Sequence, residues 1–99
     1  MDFEILITNS AEKDIENAID YYINILNGID IAEKFYSDLN SSINSISINP
    51  YYRFYNSFRG KPLSKFPYIV FFDVHEESKI VEILGVFNTN QDISKYPQK

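Results

Sequence analysis

The chain has 99 residues, no cysteine, one histidine and a formal net charge of -5. This length supports one hydrophobic core and a single domain over residues 1–99, and the absent cysteines exclude disulfides, thiolate chemistry and cysteine-ligated zinc. A hydrophobic content of 44%, with eight Tyr and eight Phe, is ample for a packed globule and excludes a disordered chain. The start Met1-Asp2-Phe3-Glu4 lacks the pattern of a signal peptide, and no stretch reaches the ~18 apolar residues of a membrane span. A soluble cytoplasmic protein without a cofactor is expected.

The charge is unevenly spread. Residues 1–49 hold nine acids against Lys13 and Lys34, whereas residues 50–99 hold seven bases against five acids. Between Tyr51 and Phe72 stand Arg53, Arg59, Lys61 and Lys65 with no acid among them. The acidic total by itself argues against general nucleic-acid binding, but the distribution gives two electrostatic faces; direct sequence-specific DNA binding by this chain alone is not expected.

In chain order, Phe3 to Thr8 reads as a strand, rich in Ile and bounded by Asn9-Ser10. From Ser10 to Leu26, Ala11, Ile15, Ala18, Ile19, Tyr22 and Leu26 recur at three- and four-residue steps, the period of an amphipathic helix. Asn9 with Glu12 has capping-box spacing, and Asn27-Gly28 supplies the stop, with Gly suited to the left-handed position. Asp30 with Glu33 repeats the capping pattern, and Ile31, Ala32, Phe35, Leu39, Ile43 and Ile46 form a second stripe that Asn49-Pro50 ends. After a loose stretch from Tyr51 to Phe58, aromatic and β-branched residues predict strands at Arg59 to Leu63, Phe66 to Val74 and Lys79 to Phe87. His75-Glu76-Glu77-Ser78 joins the last two as a hairpin loop. The tail from Asn88 to Lys99 is polar. The order β-α-α-β-β-β describes an α+β domain with a helical hairpin packed on a small antiparallel sheet.

That order, together with particular residues, resembles the RelE/ParE toxin superfamily over nearly the whole chain. The residues that carry the resemblance are Ala11 with Asp14-Ile15, Tyr21-Tyr22, Gly28, Ala32 with Phe35, Leu39, Ile43, Ile46 with Asn49-Pro50, Arg59, Phe66-Pro67-Tyr68, Val74, the strand from Ile83 to Phe87, and Asp92 with Tyr96. The resemblance implies the toxin of a bacterial type II toxin-antitoxin, or plasmid stabilisation, system, neutralised by a cognate antitoxin. Its target is the ribosome, where RelE-like members cut messenger RNA, or DNA gyrase, which ParE-like members poison without hydrolysis. The long helical hairpin and Phe66-Pro67-Tyr68 look more like the ParE side.

RNA cleavage by its own 2′-hydroxyl needs a base, an acid and cations for the phosphorane. In RelE-like relatives, basic groups of the middle strands and basic, His or Tyr groups at the end of the chain take these roles. Here Arg59, Lys61, Lys65 and Tyr96 are the candidates. Asn88 and Asn90 stand where many relatives carry His and Arg, and neither titrates. This favours a target-binding toxin over a ribonuclease, with a degenerate, non-toxic antitoxin binder as a third reading. Arg53, Tyr55, Arg59, Lys61, Lys65, Asn88, Asn90 and Tyr96 are the expected target- or antitoxin-contacting residues. The bland alternatives are an edge strand kept soluble by its charges and aromatics that cap the core. His75 beside Asp73, Glu76 and Glu77 has the look of a ligand cluster, but neighbours on a strand alternate faces and no metal site is expected.

Overall fold

The computed structural model describes residues 2–90. Strand β1 (Glu4–Ile7) leads into helix α1 (Asn9–Asp20), which continues as a π-helical turn over Tyr21–Ile25 and is followed by helix α2 (Ile29–Ile48). Strands β2 (Phe54–Tyr55), β3 (Phe58–Pro62), β4 (Tyr68–His75) and β5 (Ile80–Asn88) complete the order. The sheet runs β1-β5-β4-β3-β2, with β1 parallel to β5 and every other pair antiparallel. The α+β architecture is the one expected, but the sheet is mixed: the first strand joins the last because the helical hairpin carries the chain across one face before the meander begins.

The helix ends depart from the predicted caps. Thr8, not Asn9, caps α1: its Oγ1 accepts the Ala11 N–H at 3.2 Å while its O–H donates to the Ile83 carbonyl at 2.8 Å, so one hydroxyl joins the helix start to β5. At the other end the left-handed residue is Asn27 (φ 51°), not Gly28, and the Gly28 N–H reaches back to the Tyr22 carbonyl at 2.8 Å as in a Schellman closure. So short a joint leaves Asp30 inside the first turn of α2, where it faces the helix dipole and caps nothing. The loose stretch contains the two-residue strand β2, turned back on β3 at Asn56 (φ 59°). His75 belongs to β4, so the hairpin loop runs from residue 76 to 79 and turns at Lys79 (φ 59°).

The core lies between the helices and one sheet face. Ala11, Ala18 and Tyr22 come from the first helix, Ala32, Phe35, Leu39 and Ile46 from α2, and Tyr68, Val70, Phe72, Val81, Ile83 and Val86 from the sheet. Ile31, assigned to the stripe by its spacing, is exposed, as is Leu26. Phe35 has no exposed surface and sits 5.5 Å from Tyr22, 5.5 Å from Phe66 and 5.1 Å from Tyr68, centroid to centroid. Such tilted and edge-on contacts add to the burial term.

Two helix carboxylates reach into this packing. Asp38 is buried and accepts the backbone N–H groups of Ser64 (3.3 Å), Lys65 (2.8 Å) and Phe66 (3.2 Å), which form the turn into β4. Asp14 accepts the Val86 N–H at 3.0 Å, next to a bulge where Phe71 opposes Gly85, Phe72 opposes Ile83, and Leu84 has no partner. A Cβ on Gly85 would stand 3.0 Å from Asp14 Oδ2 and 2.6 Å from the Phe87 ring, so this position needs a glycine for close approach.

Asp38→Ala removes the acceptor of three part-buried N–H groups and should destabilise the chain by roughly 1–3 kcal/mol in urea unfolding, with Asp38→Asn losing less. Burial holds the Asp14 carboxyl above its ordinary range, against the opposing effect of the Val86 N–H. A raised folded-state pKa means stability that is fully present below the unfolded pKa and lost as pH rises through the folded one. Asp14→Asn should therefore gain stability relative to wild type as pH climbs through that window, whereas Asp14→Ala should lose about 1–3 kcal/mol at neutral pH. Unfolding curves at several pH values between acid and neutral check both.

Candidate functional site

The β2–β3 hairpin forms one edge of the sheet. Strand alternation and register place Arg59 opposite Phe72 and Lys61 opposite Val70, on the sheet face that carries the helices. Gly60 faces the other way, covered by Tyr55: a Cβ there would lie 2.7 Å from the Tyr55 ring, and that ring stands edge-on to Phe71 at 5.6 Å.

Each cation of this edge lies over an aromatic ring. The Arg59 guanidinium is 4.2 Å from the Phe54 centroid and 5.4 Å from that of Tyr51, and its Nη1 donates to the Tyr52 carbonyl at 2.8 Å. Lys61 Nζ lies 5.7 Å from the Tyr52 ring and donates to the Pro62 carbonyl at 3.1 Å. Arg53 covers Tyr55 at 4.3 Å. Stacking holds these side chains in place before any ligand arrives, so binding costs less side-chain entropy.

Arg59 and Lys61 are thus brought together on the helix-bearing face, with Tyr51, Tyr52 and Phe54 as their platform, whereas Arg53 and Tyr55 pair with each other on the opposite face of the same edge. Lys65 is not part of this patch: it belongs to the turn held by Asp38 and shares a cleft with Lys34, Ser37, Ser41 and Ser64. Asn88 stands opposite Tyr68, four residues along β4 from the Arg59 position, and its Oδ1 accepts the Asn90 N–H at 2.8 Å. Tyr96 lies outside the described residues.

Proton-transfer chemistry is poorly supplied here. Tyr51 donates its hydroxyl to Glu76 Oε1 at 2.8 Å, and that hydrogen bond is the main reason its phenol holds the proton above its ordinary range. His75 points to the other face, since Val74 between Asp73 and His75 packs on the core. Among the described residues no carboxylate or imidazole pairs with Arg59 or Lys61; the ion-pair contact found is His75 with Glu82. The arrangement can hold an anionic or carbonyl-rich surface.

The sequence profile described as ParE toxin of type II toxin-antitoxin system, parDE, matches residues 5–93. The chain belongs to the ParE toxin family. No curated protein sequence matches it. Its fold is similar to a structure of the chromosomal ParDE system of P. aeruginosa, with a TM-score of 0.75 at 20% identity over 89% of this chain and 97% of that one. It is also similar to the RelBE2 toxin-antitoxin complex of Mycobacterium tuberculosis, with a TM-score of 0.56 at 15% identity over 89% of this chain and 92% of that one. A doubly substituted E. coli RelE in the free state gives a TM-score of 0.56 at 16% identity, covering 91% of this chain and 86% of that one.

This ParE-family chain carries a second surface that its spacing pattern did not reveal. Ile19, Ile23, Ile29 and Tyr36 line an apolar groove along the helical hairpin, and Ile7, Ile15 and Ile43 continue it beyond Tyr36. Glu12, Glu16 and Glu33 stand on its rim. The available signal was a surplus: Ile23, Ile25, Ile29 and Ile31 are more apolar residues than one core-facing stripe can bury, and Ile25 and Ile29 are indeed 67% and 62% exposed.

Removing the bond from Arg59 to Tyr52 and both ring contacts through Arg59→Ala should cost about 1–2 kcal/mol of stability. Arg59→Lys should recover less than half of this loss, because an ammonium lacks the planar face that stacks. Thermal unfolding of the two variants makes the comparison.

Proposed function

We propose that this toxin arrests growth by binding a protein target, DNA gyrase in the first instance, and that a cognate antitoxin in the same cytoplasm silences it. The observation that carries this reading is the stacked cationic edge of Arg59 and Lys61, held by aromatic rings and, among the described residues, without a carboxylate or imidazole paired to either cation. A ribonuclease would need the end of β5 to supply an acid or base. There the Asn90 N–H donates to Asn88 Oδ1, and neither amide side chain exchanges protons at neutral pH.

The antitoxin is read from the same chemistry. An acidic segment complements the edge from Arg53 to Lys61, and a helix with basic flanks complements the apolar groove with its glutamate rim. Together they let one extended partner cover both electrostatic faces.

Induced expression in a bacterial host, with and without the antitoxin, tests the reading when RNA 5′ ends and gyrase–DNA cleavage complexes are mapped together. Arrest with trapped gyrase and uncut RNA is the expected result. In-frame RNA cuts would replace the reading with a RelE-type ribonuclease, and unimpeded growth would replace it with a non-toxic antitoxin binder. The double substitution Arg59→Glu and Lys61→Glu should weaken antitoxin binding at least about tenfold, more at low salt than at high.

A further inference from the structure

The β4–β5 hairpin gathers a histidine and two carboxylates on the sheet face turned away from the helices. Val74, Val81 and Ile83 pack in the core, so alternation turns Asp73, His75 and Glu82 to the opposite side. Asp73 stands directly across from Glu82 in the register, and His75 follows two residues along β4. The rule that strand neighbours alternate faces disposes of Glu76 as a companion of His75. It does not dispose of Asp73, two residues away, and Glu82 joins them only through strand pairing.

His75 Nε2 lies 3.1 Å from Glu82 Oε1, and one ligand atom from each of the three residues falls within 4.8 Å of the others. Ligand atoms bound at about 2.1 Å to one ion, at right-angled to tetrahedral spacing, stand roughly 3.0–3.4 Å apart. The His75–Glu82 pair already has this separation, and a side-chain rotation brings in Asp73, whose Oδ1 accepts the Val74 N–H at 3.0 Å. Like charges directly opposite on paired strands repel. Among the described residues no lysine or arginine forms an ion pair with either carboxylate.

We propose that Asp73, His75 and Glu82 form a surface site for a divalent first-row transition-metal ion, of which Zn²⁺ is the test case. One imidazole nitrogen and two carboxylate oxygens suit such an ion and disfavour Mg²⁺ and Ca²⁺, which prefer oxygen ligands throughout. Three protein ligands leave coordination positions open to water or to a partner's side chain. The bound ion cancels the cross-strand repulsion and clips β4 to β5 at the hairpin end. The site is independent of the cationic edge, because Arg59 and Lys61 lie on the other face of the sheet.

The test is calorimetric titration of ZnCl₂ into the tag-free whole chain, followed in parallel by NMR of its single imidazole. One-to-one binding that shifts the His75 resonances is the expected result, with a tenfold excess of Mg²⁺ displacing none of it. His75→Ala, and separately Asp73→Asn with Glu82→Gln, should each weaken binding at least about tenfold, and far-UV circular dichroism should show both variants folded, since these side chains are at least partly exposed. No binding, binding that leaves the imidazole signals unmoved, or equal affinity in the carboxamide variant would overturn the assignment.

Discussion

The structure hangs on the carboxylate of Asp38. A buried charge is costly unless its surroundings replace water, and here three successive backbone N–H groups, of Ser64, Lys65 and Phe66, do so. The bond is equally needed from the other side, because a turn cannot pair its own donors in a sheet ladder and must find acceptors elsewhere. Holding Phe66 by its backbone lays its ring on Phe35 and Tyr22. Two residues on, Tyr68 begins β4 against the same rings, and the Thr89 N–H ties the end of β5 to the Pro67 carbonyl at 2.7 Å. One side chain of α2 thus sets where the helical hairpin sits relative to both central strands. Asp14 does the same from α1: beside the β5 bulge the Val86 N–H turns to the helix carboxylate. In both places irregular sheet backbone is completed by an acid from the helices.

This division of labour explains which features were legible in the sequence. Periodicity reports burial, so both helices, the last two strands and the α+β class could be read from the spacing of Ile, Phe and Val. Periodicity says nothing of a charged residue that points inward, and Asp38 sits among serines and asparagines that mark a solvated face. Thr8 was passed over for Asn9 because both residue types cap helices; the choice was made by the Ile83 carbonyl, 75 residues away, which the Thr8 hydroxyl reaches in the same geometry. The parallel partner of β1 was hidden for a related reason, since pairing across the whole chain leaves no local trace.

The candidate site was legible in part. A run of bases without acids drew attention to the edge, and its tyrosines and phenylalanines could be read either as part of that patch or as caps of the core. Rings laid under each cation needed β2, a strand of two residues that turns at Asn56 and that no alternation pattern could show. Lys65 was grouped with Arg59 and Lys61 by proximity in sequence, yet the Asp38 turn carries it to another cleft. The groove of the helical hairpin was missed because Ile23 and Ile29 belong to no stripe, while Ile15, Ile19 and Ile43, which also line it, follow the core period.

Edge strands invite pairing with other chains, and proteins suppress this with short strands and charges. The β2–β3 edge has both features, so its cations have a protective role whatever else they do. Protection alone, however, asks only that charges be present and solvated. It does not ask that a guanidinium be fastened to the Tyr52 carbonyl and held 4.2 Å from the ring of Phe54. A solvated lysine would guard an edge with more freedom and less packing. The fixed geometry therefore exceeds what edge protection requires, and the excess supports the proposed recognition surface, which calls for a cation whose position is set before the partner arrives.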